Sequence, residues 1–301
     1  MKILISGATG LVGKHLVSYL ETKKHEVFSL VRKNPRTERE ILWDAEKGFS
    51  PVEQQKLENF DAVIHLAGAG IADERWSKER KRIIRDSRVV GTRILVDALA
   101  KAQNPPKVLV SASAIGYYGN RGDEILTEDS APGNDFLAKV GIEWEAEAQK
   151  AKQAGIRVVN LRIGIVLSTE GGALKEMLTP FKMGVGGRVG SGKQFVSWIA
   201  LDDLVRVIEF AIENENIQNA LNATAPNPVR NVEFAESLGH VLHRPALVPT
   251  PEFALRLMFG ELADALLFSS INVVPKKLQE NNFNFQFKRI EDALVHLLKN
   301  D

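Results

Sequence analysis

The sequence predicts an α/β fold: a doubly wound parallel sheet with a smaller, mainly helical C-terminal lobe. Three observations predict it. Short apolar runs alternate with segments of helical periodicity as far as Leu161. A glycine-rich turn, Gly7 to Gly13, joins the first run to the first periodic segment. Past Leu167 the alternation loosens, and prolines gather at Pro226, Pro228, Pro245, Pro249, Pro251 and Pro275.

Each element follows from its own pattern. Ile3 to Ile5 is apolar and ends at Gly7, Val12 to Leu20 is periodic, and Val27 to Val31 is apolar again. This predicts strand, turn, helix and strand. Asp61 to Ala67 reads as a buried strand ending at Gly68. Glu79 to Lys101 carries Ile84, Leu95 and Leu99 on a helical period, and Pro105-Pro106 closes it. Lys107 to Ser111 reads as a strand, Ser113 to Gly122 as a loop, Phe136 to Ala151 as a helix and Arg157 to Leu161 as a strand. Asp203 to Glu213 reads as a late helix. Strands that alternate with helices pair in parallel and are covered on both faces.

Composition narrows the function. Lys and Arg number 39 against 38 Asp and Glu, a net charge of +1. Such a balance gives no long-range attraction for nucleic acid or an anionic membrane, so neither is expected as a partner. The absence of Cys excludes disulfides, thiolate metal sites and a Cys nucleophile, and it suits a reducing cytoplasm. No His, Asp and Glu grouping has metal-ligand spacing in the sequence, so no metal is expected. The first apolar run is too short for a signal peptide, and none reaches the roughly 18 residues of a membrane span. A cytoplasmic location is expected.

Gly7-Ala-Thr-Gly10-Leu-Val-Gly13 follows a strand and opens a helix. Small residues let a backbone approach a pyrophosphate, and the helix N-terminus offers it free N–H groups and a positive dipole end. Gly7, Thr9, Gly10, Leu11, Val12 and Gly13 are therefore candidate cofactor residues. The second strand ends Leu30-Val31-Arg32-Lys33. NAD sites place an Asp or Glu near this point to accept from the ribose 2′-OH. Arg32 cannot accept; its guanidinium suits a 2′-phosphate, so NADP(H) is the expected cofactor.

Further motifs resemble the extended short-chain dehydrogenase/reductase superfamily. Asp61-x-x-x-His65-Leu-Ala-Gly68 is similar to its fourth strand, which implies that Leu66, Ala67 and Gly68 line the cofactor. Ser111-Ala-Ser113 followed by Tyr117-Tyr118-Gly119 is similar to its Ser-rich fifth strand and Tyr-Gly turn. Gly190-Ser-Gly192-Lys-Gln194 and the later Asp202-Asp203-Leu204 resemble the epimerase signature. Across the chain, Ser87 to Arg93, Trp144-Glu145-Ala146, Gly171 to Leu174, Ser197-Trp198-Ile199 and Val274 to Leu278 resemble one atypical subgroup. That NAD-dependent epimerase/dehydratase-like subgroup has its own C-terminal domain and is often labelled sugar-nucleotide epimerase or cell-division-inhibitor-like. The resemblance implies a Rossmann-type NADP-binding domain over residues 1–165, to which 190–215 cross back. A substrate lobe over 166–301 completes the chain. Asp44 stands either near the adenine, by resemblance, or as a turn cap.

The chain departs from the superfamily at its chemistry. There a Tyr exchanges the proton, and a Lys four residues on shares its helix face, lowers the Tyr pKa and holds the nicotinamide ribose. Aligned on Glu145, those two places hold Leu137 and Gly141; a one-residue slip gives Phe136 and Val140. Lys139 has the wrong spacing. Ser113 fits the strand Ser that holds the reacting oxygen, or else caps a turn. Tyr118, with Tyr117 beside it, is the candidate replacement phenol, or else packs beneath the loop. Ser113 and Tyr118 are therefore the candidate catalytic residues.

Other residues leave two readings open. His65 reads as a core histidine. Arg162 suits a substrate anion or a carboxylate of the fold. Val196 stands where nucleotide-sugar epimerases often carry a pyrophosphate-binding Arg, with Arg188 and Lys193 in the same loop. Trp198 suits a pocket wall or the core. The run Arg75, Lys78, Arg80, Lys81, Arg82, Arg85 and Arg88 is interspersed with acids and reads as a solvated helix face. The expectation is an NADP(H)-binding, epimerase-like oxidoreductase acting on a small molecule such as a sugar derivative, monomeric or homodimeric. The alternative is a non-catalytic NADP(H)-binding sensor or partner-binding protein.

Overall fold

The computed structural model describes residues 1–299. Strands β1 (Lys2–Ser6), β2 (Glu26–Val31), β3 (Glu40–Leu42), β4 (Ala62–His65) and β5 (Val108–Ala114) come first. Then follow β6 (Ile125–Leu126), β7 (Arg157–Ile163), β8 (Ile165–Leu167), β9 (Phe195–Val196), β10 (Trp198–Ala200), β11 (Asn219–Ala223), β12 (Val229–Arg230) and β13 (Asn272–Val273). Seven of these form one sheet in the order β11-β7-β5-β4-β1-β2-β3. Every neighbouring pair in it is parallel.

Alternation along each strand sends side chains to opposite faces. Ile3 and Ile5 join Leu16 and Leu20 of the helix Leu11–Thr22 and Leu204 and Ile208 of the helix Leu201–Glu213 in one core. Leu4 and Val63 join Leu95 and Leu99 of the helix Lys78–Leu99 and Ala148 of the helix Phe136–Gln149 in another. Both faces are therefore covered, as expected for continuous apolar strands. The strand order reverses between β1 and β4, which opens a crevice at their carboxyl ends.

The sequence left β3 and β11 unassigned. In β11 only Leu221 and two alanines are apolar among asparagines, too weak a pattern to read as a strand. It nevertheless pairs with β7 from Asn219↔Val159 to Ala223↔Ile163, so the chain returns to the sheet beyond residue 215. A third core serves the C-terminal lobe: Leu174 and Phe181 of one helix, Phe234 and Leu238 of a second, and Ile290 and Leu294 of a third surround Trp198. Trp198 is fully buried, and its indole N–H donates to Asn227 O at 3.1 Å, so it is core rather than a pocket wall. The pairs β6–β13, β8–β10 and β9–β12 tie this lobe to the sheet edge. None of the described helices is long and apolar enough to cross a membrane.

Candidate functional site

Two glycines of the crevice, Gly7 and Gly13, leave no room for a larger residue. Gly7 has φ +76°, and a Cβ on it would lie 2.9 Å from Ala67 N. A Cβ on Gly13 would lie 2.1 Å from Gly7 O. The turn thus presses against the helix it opens and against the end of β4. Leu66 N–H donates to Ser6 O at 3.1 Å, and Ala67 N–H to Ser6 Oγ at 3.3 Å. Gly7 through Gly13 and Leu66 through Gly68 therefore meet around one opening, with Thr9, Gly10 and Gly68 exposed.

The helix ends differ in a telling way. Ser77 Oγ accepts from Arg80 N–H at 3.0 Å, and Asp135 Oδ1 accepts from Ala138 N–H at 2.9 Å. The helix Leu11–Thr22 begins at Gly10 with no side-chain cap and no acid in its first turn. Its leading N–H groups and positive dipole end stay open to an anion. Arg32 lies two residues past Leu30, which pairs with Ser6, so it stands beyond the same carboxyl edge. It is exposed and has no hydrogen-bond or ionic partner among the described residues. Asp44 instead caps a turn: its Oδ1 accepts from Glu46 and Lys47 N–H at 2.8 and 3.1 Å.

Ser113 and Tyr118 belong to a buried network. Ser113 Oγ donates to Glu145 Oε1 at 2.7 Å. Glu145 also binds Arg162 Nε and Nη2 at 2.8 and 2.9 Å. Arg162 Nη1 donates to the Tyr118 hydroxyl at 2.9 Å, and that hydroxyl donates to Asn222 Oδ1 at 2.6 Å. Tyr118 is fully buried, and burial pushes its pKa up to about 12. Of the two readings of Tyr118, packing beneath the loop matches this geometry: its hydroxyl is shared between two partners and reaches no solvent. Arg162 likewise answers a carboxylate of the fold. Burial pulls its pKa down, but the bonds and charge of Glu145 outweigh that and raise it.

Glu128 extends the network. Its Oε1 accepts from Asn222 and Lys277 N–H at 3.1 and 3.3 Å, Oε2 is buried without a partner, and burial raises its pKa. Its role was invisible in sequence, because its partners lie 94 and 149 residues away.

Helix Phe136–Gln149 presents the Leu137 and Gly141 register to the Tyr-Gly turn. A Cβ on Gly116 would touch Leu137, and one on Gly141 would touch the Tyr117 backbone and ring at 3.4 to 3.5 Å. The Tyr117 ring stacks on Arg162, whose guanidinium carbon is 3.5 Å from the ring centroid. The space beside the would-be Lys is therefore filled by an aromatic ring. Phe136 packs against Trp76 at 5.2 Å, and Lys139 is exposed. His65 is core as expected: Nδ1 lies 2.5 Å from Ser6 Oγ and Nε2 3.0 Å from Thr92 Oγ1.

One expectation about charge needs correction. The basic run is not uniformly solvated. Lys81, Arg82 and Arg85 pair with Glu261, Glu79 and Glu143, but Arg80 and Arg88 are each only 9% exposed. The signal was present: positions 80, 84 and 88 share one helix face, and Ile84 between them is apolar. The fold also gathers His25, Glu209 and Glu213, whose ligand-type atoms lie within 4.8 Å of one another. Residues so distant in sequence could not show that spacing. Arg188 and Lys193 are exposed in their loop.

The reversed strand order and the glycine turn define an extended short-chain dehydrogenase/reductase architecture. More narrowly, the chain belongs to the NAD dependent epimerase/dehydratase family, whose model matches residues 3–223. Residues 250–297 match a second model, a domain of unknown function (DUF1731). The chain is 40% identical over 293 residues to epimerase family protein Mb2239 of Mycobacterium bovis, covering 97% of this chain and 96% of that one. It is 38% identical over 303 residues to epimerase family protein YfhF of Bacillus subtilis, covering 99% and 98%. The crystal structure of human epimerase family protein SDR39U1 with NADPH superposes with a TM-score of 0.91 at 32% identity, covering all of both chains.

Proposed function

We propose that this chain is an NADP(H)-binding, epimerase-like oxidoreductase that acts on a small molecule, a sugar derivative or another carbonyl or hydroxyl compound, without the Tyr and Lys pair. The observation that carries it is Arg32, exposed at the carboxyl edge of β2 and without a partner among the described residues. The uncapped helix start and the presence of NADPH in the human relative's structure support it. Gly7, Thr9, Gly10, Leu11, Val12 and Gly13 would hold the pyrophosphate, Arg32 the 2′-phosphate, and Leu66, Ala67 and Gly68 the wall beside them. When bound, the nicotinamide supplies hydride transfer. In this reading residues 1–165, with the segment that returns from about 190, form the cofactor domain, and the rest of 166–301 the substrate lobe. A cytoplasmic monomer or homodimer without a nucleic-acid partner fits the balanced charge.

The chain's own residues then orient and exclude water. Glu145 fixes Ser113 at the end of β5, where its hydroxyl can turn to a substrate oxygen. Asn222 holds the Tyr118 hydroxyl, that hydroxyl holds Arg162, and Arg162 holds Glu145. Titrating NADPH and NADH by fluorescence tests the cofactor assignment. NADPH is expected to bind roughly tenfold or more tightly, and Arg32→Ala to remove most of that difference. Equal affinities in the unaltered protein would sink the role given to Arg32.

The second reading is a non-catalytic NADP(H)-binding sensor or partner-binding protein. The engaged hydroxyls of Ser113 and Tyr118 and the Tyr117 ring beside Gly141 favour it. A panel of carbonyl and alcohol substrates separates the two: turnover that Ser113→Ala abolishes supports the enzyme, and none across the panel supports the sensor.

A further inference from the structure

Arg88 is a buried cation that the fold leaves short of acceptors. The other inward-turned arginines show what full satisfaction looks like. Arg162 meets both oxygens of Glu145. Arg157 donates to the carbonyls of Ala211, Ile212 and Ile217. Arg88 donates only to Ile84 O, one turn back on its own helix, at 3.0 Å. It has no carboxylate partner among the described residues.

Its surroundings deepen the shortage. The guanidinium lies over the ring of Trp144 at 5.2 Å, and the Trp144 indole Nε1 is itself buried without a partner. Arg80 adds a like charge nearby, and its own Nε is also buried without a partner. Arg80 Nη2 donates to Gly70 O at 2.6 Å and to Asp73 Oδ2 at 3.1 Å; neither acceptor is bonded to Arg88. Burial pulls the Arg88 pKa down to about 10, so the group still carries its charge at neutral pH. A buried charge without a counter-charge is costly, and a bound carboxylate or phosphate removes that cost through paired, charge-assisted bonds.

The guanidinium packs against an exposed backbone position of the crevice. Gly68 is exposed, and a Cβ there would lie 3.3 Å from the Arg88 guanidinium carbon. Arg88 therefore adjoins the crevice at the end of β4, on the side of the helix Phe136–Gln149. The groups proposed above for the cofactor's phosphates, Gly10 to Gly13 and Arg32, belong to the β1 and β2 side.

We propose that Arg88 is the anion-recognising residue of the substrate site, and that the natural substrate carries a carboxylate or phosphate group. The assignment rests on the proposed NADP(H) reading only for what else fills the crevice.

The test follows thermal unfolding of the NADPH-loaded and unloaded full chain at fixed ionic strength. The probes are sodium phosphate and D-glucuronate, with D-glucose as the neutral control. Both anions are expected to raise the Tm of the unaltered protein while glucose does not. Arg88→Gln is expected to weaken the glucuronate effect about tenfold or more, and Arg88→Lys to keep part of the phosphate effect. NADPH affinity should change less than about twofold in both variants. Equal stabilisation of Arg88→Gln and the unaltered protein, or no anion effect in either, overturns the proposal. A loss of NADPH affinity of tenfold or more in both variants overturns it too, because the anion would then be the cofactor's. Failure of the unaltered chain to bind NADPH would overturn the cofactor reading, while the anion titration of unloaded protein would still decide Arg88. Should Arg88→Gln not fold, the Arg88→Lys titration decides alone: an anion effect no weaker than in the unaltered protein removes guanidinium recognition.

Discussion

Glu145 grips Arg162 through both carboxylate oxygens, at 2.8 Å to Nε and 2.9 Å to Nη2, where both residues are more than nine-tenths buried. The pair lies between the fifth strand's Ser113 and the Tyr-Gly turn, beside the helix face that lacks the Tyr and Lys pair. A strong internal ion pair thus occupies the ground next to the missing acid and base. Its charges are matched, so it positions hydroxyls rather than supplying a free base.

Breaking that pair on one side should be severe. Glu145→Gln or Arg162→Met leaves a buried charge alone and is expected to cost about 3–5 kcal/mol in urea unfolding. The double variant should cost less than the sum of the two. Additive losses would show that the residues do not act as a pair.

Tyr118→Phe separates positioning from proton transfer. It removes a hydroxyl shared by Arg162 and Asn222 and is expected to lower stability by about 1–3 kcal/mol, with NADPH affinity unchanged. Turnover lost at unchanged stability would instead make the phenol a proton donor.

Gly13→Ala probes the crevice through its backbone. The added Cβ would meet Gly7 O at 2.1 Å, so the turn must open. NADPH affinity is expected to fall at least about tenfold, together with a loss in Tm. Gly10→Ala, with its nearest contact at 3.4 Å, should fold nearly normally.

His65 sets a pH dependence. Burial lowers its pKa from 6.5 to about 4, so the folded protein keeps it neutral while the unfolded chain takes a proton. Between those values the unfolded state binds more protons, and stability is lost as pH falls. The contribution is complete above pH 6.5 and reaches about 3 kcal/mol of loss near pH 4. His65→Gln should flatten this part of the stability–pH curve in denaturant titrations. An unchanged slope would assign the acid sensitivity to other groups.

Much of the fold was legible because its signals are local. The runs around Ile3, Val27, Val63, Leu109 and Val158 read as strands from their own residues, and Gly7 and Gly13 announce a turn that needs small side chains. β11 was not legible, since Asn219, Asn222 and the alanines around Leu221 look like a loop until β7 pairs with them. The glycine turn could be read from one short motif. The neighbouring network could not, because Glu145, Arg162, Asn222 and Glu128 meet only when several strands are assembled.

By itself the sequence determined the doubly wound sheet, the glycine turn with its uncapped helix, Arg32 in place of an acid, and the loss of the Tyr and Lys pair. Periodicity and backbone space decide these within a few residues. Only the tertiary structure decided the fates of the two arginines. Arg162 and Arg88 look alike as residues, yet one folds against a carboxylate 17 positions away and the other against Trp144 and Gly68, with no counter-charge among the described residues. A charge's partner is a matter of long-range assembly, and burial sets how much its presence or absence counts.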